Sequence, residues 1–472
     1  MGPSHSDTIA ALATAPGKSG VCVVRVSGPD AHKIAVAVLG FSPTPRTAHL
    51  SAFKDSEGLT LDKGIALYFK TPASFTGEDV LELQGHGGPT VQKLLLNATL
   101  AQGARLAYPG EFSERAFLNN KIDLAQAEAI ADLIDANSEQ AAKSAMRTLS
   151  GEFSNKVNGL VAELTKARVN IEAAIDFSDE DIDIITESRV VNSLGEIREQ
   201  LALSLTQANQ GVLLKEGMQV VIAGKPNAGK SSLLNALSGA DSAIVTPIAG
   251  TTRDLLSEQL QIDGLLVHIT DTAGLRESDD VVEQEGVRRA NDAVRKADKI
   301  LLVIDSSDIG FSGRPLSAEH LPELLRNEPA LLSKTLVVFN KADLLDSPVF
   351  GISHVDFGPA GDETKPLVRL ATVTLSAREK VGLDALRDSL KEAIGFNSLI
   401  EGAFVARERH LIALRAADDL VASAQTAIVQ GQPFELPAED LRLAQNELGK
   451  ITGQVSSDDL LGEIFSNFCV GK

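Results

Sequence analysis

Hydrophobic positions along the chain change period three times, and each change predicts a different kind of structure. From about residue 7 to 122, short β-rich runs such as Val21–Val26 and Gly64–Phe69 alternate with glycine and proline punctuation. Runs of that length between turn formers read as strands of a compact α+β unit. The pattern then becomes helical. Met146, Leu149, Phe153, Val157, Leu160, Leu164, Ile171 and Ile175 recur at helical spacing, and Val190, Leu194, Ile197 and Leu201 repeat the signature. Between the two stripes, Asp176–Glu187 holds six acidic residues and no basic one, which reads as a solvated helix end rather than an ion site.

Around residue 217 the apolar runs shorten again. Gln219–Ala223, Leu265–Thr270, Lys299–Ile304 and Leu336–Phe339 look like buried strands separated by helical stretches. Such alternation predicts a parallel sheet covered by helices on both faces. After about residue 385 the chain returns to helix: Leu414, Ala417, Val421, Ala424 and Ile428 form one stripe, and Pro437 introduces another helix. Neither stripe can stay in water, so the helices before and after the insert are expected to pack together. The expected organisation is a multidomain α/β chain. An N-terminal α+β domain spans 1–122, an all-α domain is split into 123–215 and 386–472, and an α/β domain is inserted at 216–385. Residues 1–6 read as a flexible start outside any element.

Composition narrows the class. At 43% hydrophobic residues the chain can fill several cores, which excludes wholesale disorder. Cys22 and Cys469 are the only cysteines, too few for a disulfide scaffold or a cysteine-rich zinc module. No apolar run reaches the ~18 residues of a membrane helix, so a cytoplasmic protein without a membrane partner is expected. The net charge of −20 disfavours a non-specific nucleic-acid coat but leaves room for a local basic surface.

The strongest chemical signal is Gly224-Lys-Pro-Asn-Ala-Gly229-Lys230-Ser231, between a predicted strand and a helical run. Glycines let successive backbone N–H groups turn toward phosphate, Lys230 adds charge for the β- and γ-phosphates, and the Ser231 hydroxyl can ligate Mg²⁺. A helix starting there adds its positive dipole end. The expected nucleotide contacts of this loop are Asn227, Ala228, Gly229, Lys230, Ser231 and Ser232. Asp271, Thr272, Ala273 and Gly274 follow a second strand, where the carboxylate can reach Mg²⁺ through water and the Gly274 N–H can sense a γ-phosphate. Asn340, Lys341, Ala342 and Asp343 follow a third. A carboxylate there accepts from both the ring N–H and the exocyclic amine of guanine, a donor pair that adenine lacks. Ser376, Ala377 and Arg378 follow a fourth strand, Leu370–Leu375, and would complete the base pocket. Four elements in this order point to a guanine nucleotide, GTP or GDP.

Between the first two elements, Thr246, Pro247, Ile248, Ala249, Gly250, Thr251 and Thr252 read as a switch loop. A threonine of this loop, Thr252, completes the Mg²⁺ shell once a γ-phosphate is present. Arg253 and Arg276 are candidate arginine fingers, although exposed loop arginines are ordinarily just solvated. Many small GTPases carry a water-orienting glutamine after the second element; here Leu275 stands in that place and cannot orient water. Glu277, Asp279, Asp280, Glu283 and Glu285 are the nearby acidic candidates, and the residues alone do not choose among them.

These elements belong to a wider pattern. Thr14-Ala-Pro-Gly-Lys-Ser-Gly-Val-Cys-Val-Val-Arg25, Ser74-Phe-Thr-Gly-Glu-Asp-Val-Leu-Glu82-Leu-Gln-Gly-His86-Gly-Gly, Gly110-Glu-Phe-Ser-Glu-Arg-Ala-Phe-Leu-Asn-Asn-Lys121 and the terminal Phe468-Cys469-Val470-Gly471-Lys472 resemble the MnmE (TrmE) family. The similarity runs from residue 7 to 472. It implies a tRNA-modification GTPase that works with the flavoprotein MnmG as a heterotetramer to install a carboxymethylaminomethyl group at carbon 5 of the wobble uridine of certain tRNAs. It also implies an N-terminal tetrahydrofolate-binding and dimerising domain, and a helical domain interrupted by a Ras-like P-loop G domain.

Carried over by position, the resemblance implies a folate site of Arg25, Glu82, Lys121 and Lys472 for 5-formyl- or 5,10-methylene-tetrahydrofolate. Cations suit glutamyl carboxylates, and a carboxylate suits pterin donors; taken alone, these four are ordinary surface charges. Lys18 stands where the family more often has arginine. The resemblance further implies a K⁺ site from Asn227, Thr246, Ile248 and Thr251, with Glu283 orienting the attacking water through a second water. For Cys469, prenylation is disfavoured by the non-aliphatic Gly471 and the terminal Lys472. The resemblance places it near the folate and the modification chemistry. A competing reading, a regulatory GTPase switch such as a ribosome-assembly factor, would need a basic rRNA-binding domain, and none is visible. A folate-binding scaffold with a degenerate G domain fails because every nucleotide element is intact.

Overall fold

The structure, a computed structural model, describes residues 7–176, 187–238, 257–262, 265–271, 281–309, 321–357, 368–393, 404–455, 458–466, 468–469 and 471. The chain forms two compact units. One comprises Met1–Asp135, Ala145–Leu205 and Glu408–Lys472; the other comprises Ala136–Ser144 and Thr206–Arg407.

The first unit opens with strands β1 (Ile9–Leu12), β2 (Val21–Ser27), β3 (His49–Lys54), β4 (Thr60–Phe69), β5 (Val80–His86) and β6 (Arg105–Leu106), in sheet order β3-β4-β5-β2-β1-β6. Strand alternation sorts the side chains. Cys22, Val24, Val26, Leu81 and Leu83 enter the core beneath α1 (Ala31–Leu39) and α2 (Pro89–Ala101). Arg25 and Glu82 therefore take the opposite face, directly across from each other in the β2–β5 register. On that face α3 (Glu111–Leu118) lays Phe112 against Ile9 and Ala11.

Helices α4 (Leu124–Ile134), α5 (Glu139–Leu149), α6 (Glu152–Asp176) and α7 (Glu187–Glu216) follow. Asp123 and Gln126 cap α4 reciprocally. The first apolar stripe is not one helix. Gly151 at φ 91° separates α5 from α6, and Met146, on the α5 side, is 51% exposed, whereas Phe153 to Ile171 are buried. After the insert come α13 (Glu408–Val429), α14 (Glu435–Thr452) and α15 (Asp458–Ser466). The stripe from Leu414 to Ile428 is buried. Gln445 of α14 bonds Arg168 and Thr165 of α6, and Arg198 of α7 pairs with Asp418 of α13, so helices before and after the insert do pack together. Deep in this packing Glu128 accepts from Arg409 at 2.7 Å and lies 3.0 Å from His410 Nε2.

The second unit contains β7 (Met218–Ala223), α8 (Lys230–Ser238), β8 (Ser257–Ile262), β9 (Leu265–Asp271), α9 (Val281–Lys296), β10 (Lys299–Asp305), α10 (Ser306–Ile309), α11 (Glu323–Asn327), β11 (Thr335–Asn340), β12 (Gly351–Phe357), β13 (Val368–Thr374) and α12 (Leu383–Ala393). Among the described residues the sheet order is β12-β13-β11-β10-β7-β9-β8. Successive strand residues serve opposite cores. Val220, Ile222, Leu301 and Val303 pack under α8 and α12, whereas Val221, Ile300, Leu302 and Ile304 pack with Val294 of α9 and Leu325 of α11. Helices thus cover both faces, as expected. The sheet itself is mixed rather than wholly parallel: the five central strands run parallel, and β8 and β12 join the edges antiparallel. Antiparallel neighbours need no crossover helix, so a short link suffices between β8 and β9.

Candidate functional site: a guanine-nucleotide site and an arginine–glutamate site

The loop from Gly224 to Gly229 leaves β7 and enters α8 through conformations that demand its residue types. Gly224 (φ 148°) would place a Cβ 2.2 Å from the Val303 carbonyl oxygen, and Gly229 (φ 93°) would place one 2.2 Å from the Asn340 amide nitrogen. Asn227 adopts φ 64°, a left-handed value that asparagine tolerates better than most residues. Inside the loop the Lys230 ammonium donates to the carbonyls of Gly224 at 2.9 Å and Lys225 at 3.0 Å. The cation is thus held over the loop. Ser231 and Ser232 lie exposed in the first turn of α8.

Asn340 joins the parts. Its side-chain amide donates to the Ala228 carbonyl at 3.1 Å, its amide oxygen accepts from Ala377 N–H at 3.0 Å, and its own carbonyl accepts from the buried Ser306 hydroxyl at 2.7 Å. One buried side chain therefore braces the phosphate loop against the loop that carries Ser376 and Ala377. Asp343 accepts from the Ser376 hydroxyl at 2.5 Å, which aims its carboxylate. Lys341 (φ 62°) pairs with Asp305 at 2.7 Å. Burial opposes ionisation of Asp305, but Lys341 and Ser307 outweigh it and hold the carboxyl below its ordinary range. Asp305 and Asp308 also line a cavity of about 200 Å³ beside Asn227 and Pro226. Sequence reading missed Asp305; its signal is its place at the carboxyl end of a central parallel strand, where α/β sheets bind ligands. Arg378 is 82% exposed at its side chain and stands apart from these contacts.

The β7–β9 register sets the Asp271 backbone opposite Ile222, next to the start of the phosphate loop. Glu283 lies in the first turn of α9. The side chains of both are outside the described residues, as are Thr246, Pro247, Ile248, Ala249, Gly250, Thr251, Thr252, Thr272, Ala273, Gly274 and Lys472.

In the first unit, Arg25 and Glu82 form a half-buried ion pair at 2.9 Å. The Arg25 guanidinium lies 5.7 Å from the Phe75 ring centre and 5.8 Å from that of Phe112. Lys121 donates to the Pro72 carbonyl at 3.0 Å and runs past Gly77. The loop joining β4 to β5 therefore touches both Arg25 and Lys121. Beneath lies a charge network that sequence reading did not foresee. Arg115, nearly fully buried, bonds Asp7 at 2.7 Å, Glu111 at 3.0 Å and Glu78 at 3.1 Å. Glu78 also accepts from Ser27 at 2.6 Å, two residues along β2 from Arg25. A helix carrying Glu111, Glu114 and Arg115 next to a buried Phe112 was the available signal. The C-terminal tail reaches this unit. Phe465 and Phe468 pack with Leu124 and Ala127, the Cys469 carbonyl faces the Gly110 N–H at 3.4 Å, and the Cys469 side chain is exposed. Cys22 is buried, and burial pushes its thiol up from its ordinary range.

No helix among the described residues is long and apolar enough to cross a membrane. The family described as "GTP-binding protein TrmE N-terminus" matches residues 8–121, and that described as "MnmE helical domain" matches 124–469. A tRNA modification GTPase MnmE of Marinobacter nauticus is 52% identical over 467 residues, covering 99% of each chain. The proteins of the same description from Pseudomonas entomophila and Proteus mirabilis are 53% and 52% identical, each over 99% of this chain. Matched end to end in this way, the chain belongs to the MnmE (TrmE) family of tRNA modification GTPases.

Proposed function

We propose that this protein hydrolyses GTP, with K⁺ and Mg²⁺, as the GTPase component of wobble-uridine modification. It acts in the cytoplasm with the flavoprotein MnmG to add a carboxymethylaminomethyl group at carbon 5 of uridine 34 in certain tRNAs. The observation that carries the nucleotide reading is the Asn340 brace, which holds the phosphate loop and the Asp343–Ser376 pair in one rigid group. Asp343, its carboxylate already aimed, accepts from the guanine edge. Lys230, held over the loop, supplies positive charge to the phosphate oxygens. The loop N–H groups and the α8 N-terminus add further stabilisation of negative charge. The donor set suits a hard cation: the exposed Ser231 hydroxyl, with Thr252, would hold Mg²⁺, which neutralises phosphate charge when bound. Asn227, Thr246, Ile248 and Thr251 would hold K⁺ and shape the switch loop for contact with the G domain of a second copy. Glu283 would orient water in place of the glutamine that Leu275 displaces.

In the N-terminal domain, Arg25, Glu82, Lys121 and Lys472 would bind a reduced folate as one-carbon donor. The Arg25–Glu82 pair offers cation and acceptor together, a fit to a ligand with carboxylate and pterin ends. The homodimer would form through this domain, and Cys469 would lie beside the modification chemistry. The proposed division into domains is 1–122, 123–215, 216–385 and 386–472. The test is GTP turnover in matched KCl and NaCl buffers for wild type and Glu283→Ala. K⁺ should be required, and Glu283→Ala should retain nucleotide but lose roughly 10²-fold or more in turnover. Equal rates in both salts would remove the potassium mechanism, and a fully active Glu283→Ala would move the role to Glu277, Glu285 or Arg276.

A further inference from the structure

Two successive residues at the end of β10 grip two successive residues at the end of β11. The parallel register sets Asp305 beside Asn340. The Ser306 hydroxyl donates to the Asn340 carbonyl at 2.7 Å, and the Lys341 ammonium donates to Asp305 Oδ2 at 2.7 Å. The other carboxylate oxygen is engaged as well: Asp305 Oδ1 accepts from the Ser307 N–H at 3.0 Å and from the Ser307 hydroxyl at 2.7 Å. The carboxylate is therefore fixed from its own strand end and reaches Lys341 with one oxygen. The side chains of Asp305 and Lys341 are 15% and 32% exposed, so water screens this pair less than an ion pair on the open surface.

What the pair fixes is the path of the lysine stem. Lys341 stands in left-handed backbone, φ 62° and ψ 32°, which a residue with a Cβ keeps only where its surroundings over-determine it. Here they do. The Leu375 carbonyl accepts from the Ala342 N–H at 3.2 Å, the Lys341 carbonyl accepts from the Leu344 N–H at 3.0 Å, and the ammonium is anchored on Asp305. A lysine stem is otherwise free to swing. Pinned at both ends, this one runs along the phosphate loop: Lys341 Cε lies 3.8 Å from the place a Cβ on Gly229 would take. We propose that Asp305 is a positioning residue of the guanine-nucleotide site: by anchoring the Lys341 ammonium it lays the lysine stem along the phosphate loop as an apolar wall against which bound GDP or GTP packs. The proposal rests on the nucleotide reading above, and Asp305 acts in it only through Lys341. The wall belongs to the loop that carries Asp343, on the base side of the site, so it serves GDP and GTP alike.

The experiment uses the full chain as wild type, Asp305→Asn, Lys341→Met and the double variant. Fluorescent GDP and GTP analogues are titrated, and their release is timed by stopped flow. Asp305→Asn keeps the shape of the side chain and an acceptor for Ser307 but loses the charge; Lys341→Met keeps a stem of similar length without the ammonium. Each single variant should weaken GDP and GTP by the same factor, about tenfold, through faster release. The double variant should bind no more weakly than the weaker single one, because the partner through which Asp305 acts is already gone. A purely structural role would instead multiply the two losses, and that result would overturn the proposal. So would wild-type affinity in Asp305→Asn, or a loss confined to GTP. If Asp305→Asn fails to fold, Lys341→Met decides: unchanged GDP affinity there overturns the anchor, and a tenfold loss supports it. Wild type that binds neither nucleotide would overturn the nucleotide reading itself, an outcome distinct from wild-type binding that the variants leave unmoved.

Discussion

The phosphate loop and the Arg25–Glu82 pair show two ways of bringing polar groups together. In the inserted domain, the candidate ligand groups lie on short contiguous segments at the carboxyl ends of parallel strands. In the N-terminal domain, the groups are 57 positions apart in the chain and meet only because β2 and β5 pair in one register. Each segment of the first kind carries its own local geometry, and Asn340 ties the segments together. The second kind has no such local geometry. A one-residue slip between β2 and β5 would turn Arg25 or Glu82 into the core. The Arg25–Glu82 pair accordingly lies over the buried Arg115 network, whereas the phosphate loop is tied to its neighbour by one neutral brace, Asn340.

Breaking the network should have the largest effect and should separate the two sites. Arg115→Met leaves Asp7, Glu78 and Glu111 short of a buried cation, at a cost of about 3 kcal/mol. Thermal melting should show an earlier transition for the first unit, while GTP affinity is unchanged; coincident loss of both would merge the two regions into one cooperative body. Acid should act in the same place. Burial alone would raise the carboxyls of Glu111 and Asp7, but Arg105 and Arg115 outweigh it and hold both below their ordinary 4.5 and 3.8. A depressed folded value means that their stabilisation is present above those values and is lost as pH falls beneath them. Glu128 follows the same sign: burial is outweighed by His410 and Arg409. Acid melts below about pH 4.5 should therefore start in the first unit.

Next in size is guanine recognition. Asp343→Asn puts a donor where guanine presents one, so GTP affinity should fall by roughly 30- to 150-fold, about 2–3 kcal/mol. Folate titration should be unmoved. Unchanged GTP affinity would remove Asp343 from the base pocket.

The smallest expected effect sharpens the N-terminal side. Glu82→Gln keeps shape and register but removes the charge that pairs with Arg25. Calorimetry should show folate affinity reduced about tenfold, about 1.4 kcal/mol, with GTP turnover intact. A tighter folate complex would mean that the ion pair competes with the ligand rather than receiving it.

Sequence alone determined whatever depends on local order. The strand–loop–helix at Gly224–Ser231, the alternation of strand and helix in the inserted segment and the pairing of helix stripes around it all follow from spacing, because backbone conformation and amphipathic faces are set within a few residues. Tertiary structure decided what depends on partners distant in sequence. The break at Gly151 exposes Met146, since a left-handed glycine ends a helix whatever the stripe beyond it. Antiparallel edges on the inserted sheet, the meeting of Arg25 with Glu82 and the burial of Arg115 among three carboxylates each require a second segment to arrive. Register and packing, not composition, choose that segment, because a charge or a glycine carries no local mark of what will face it.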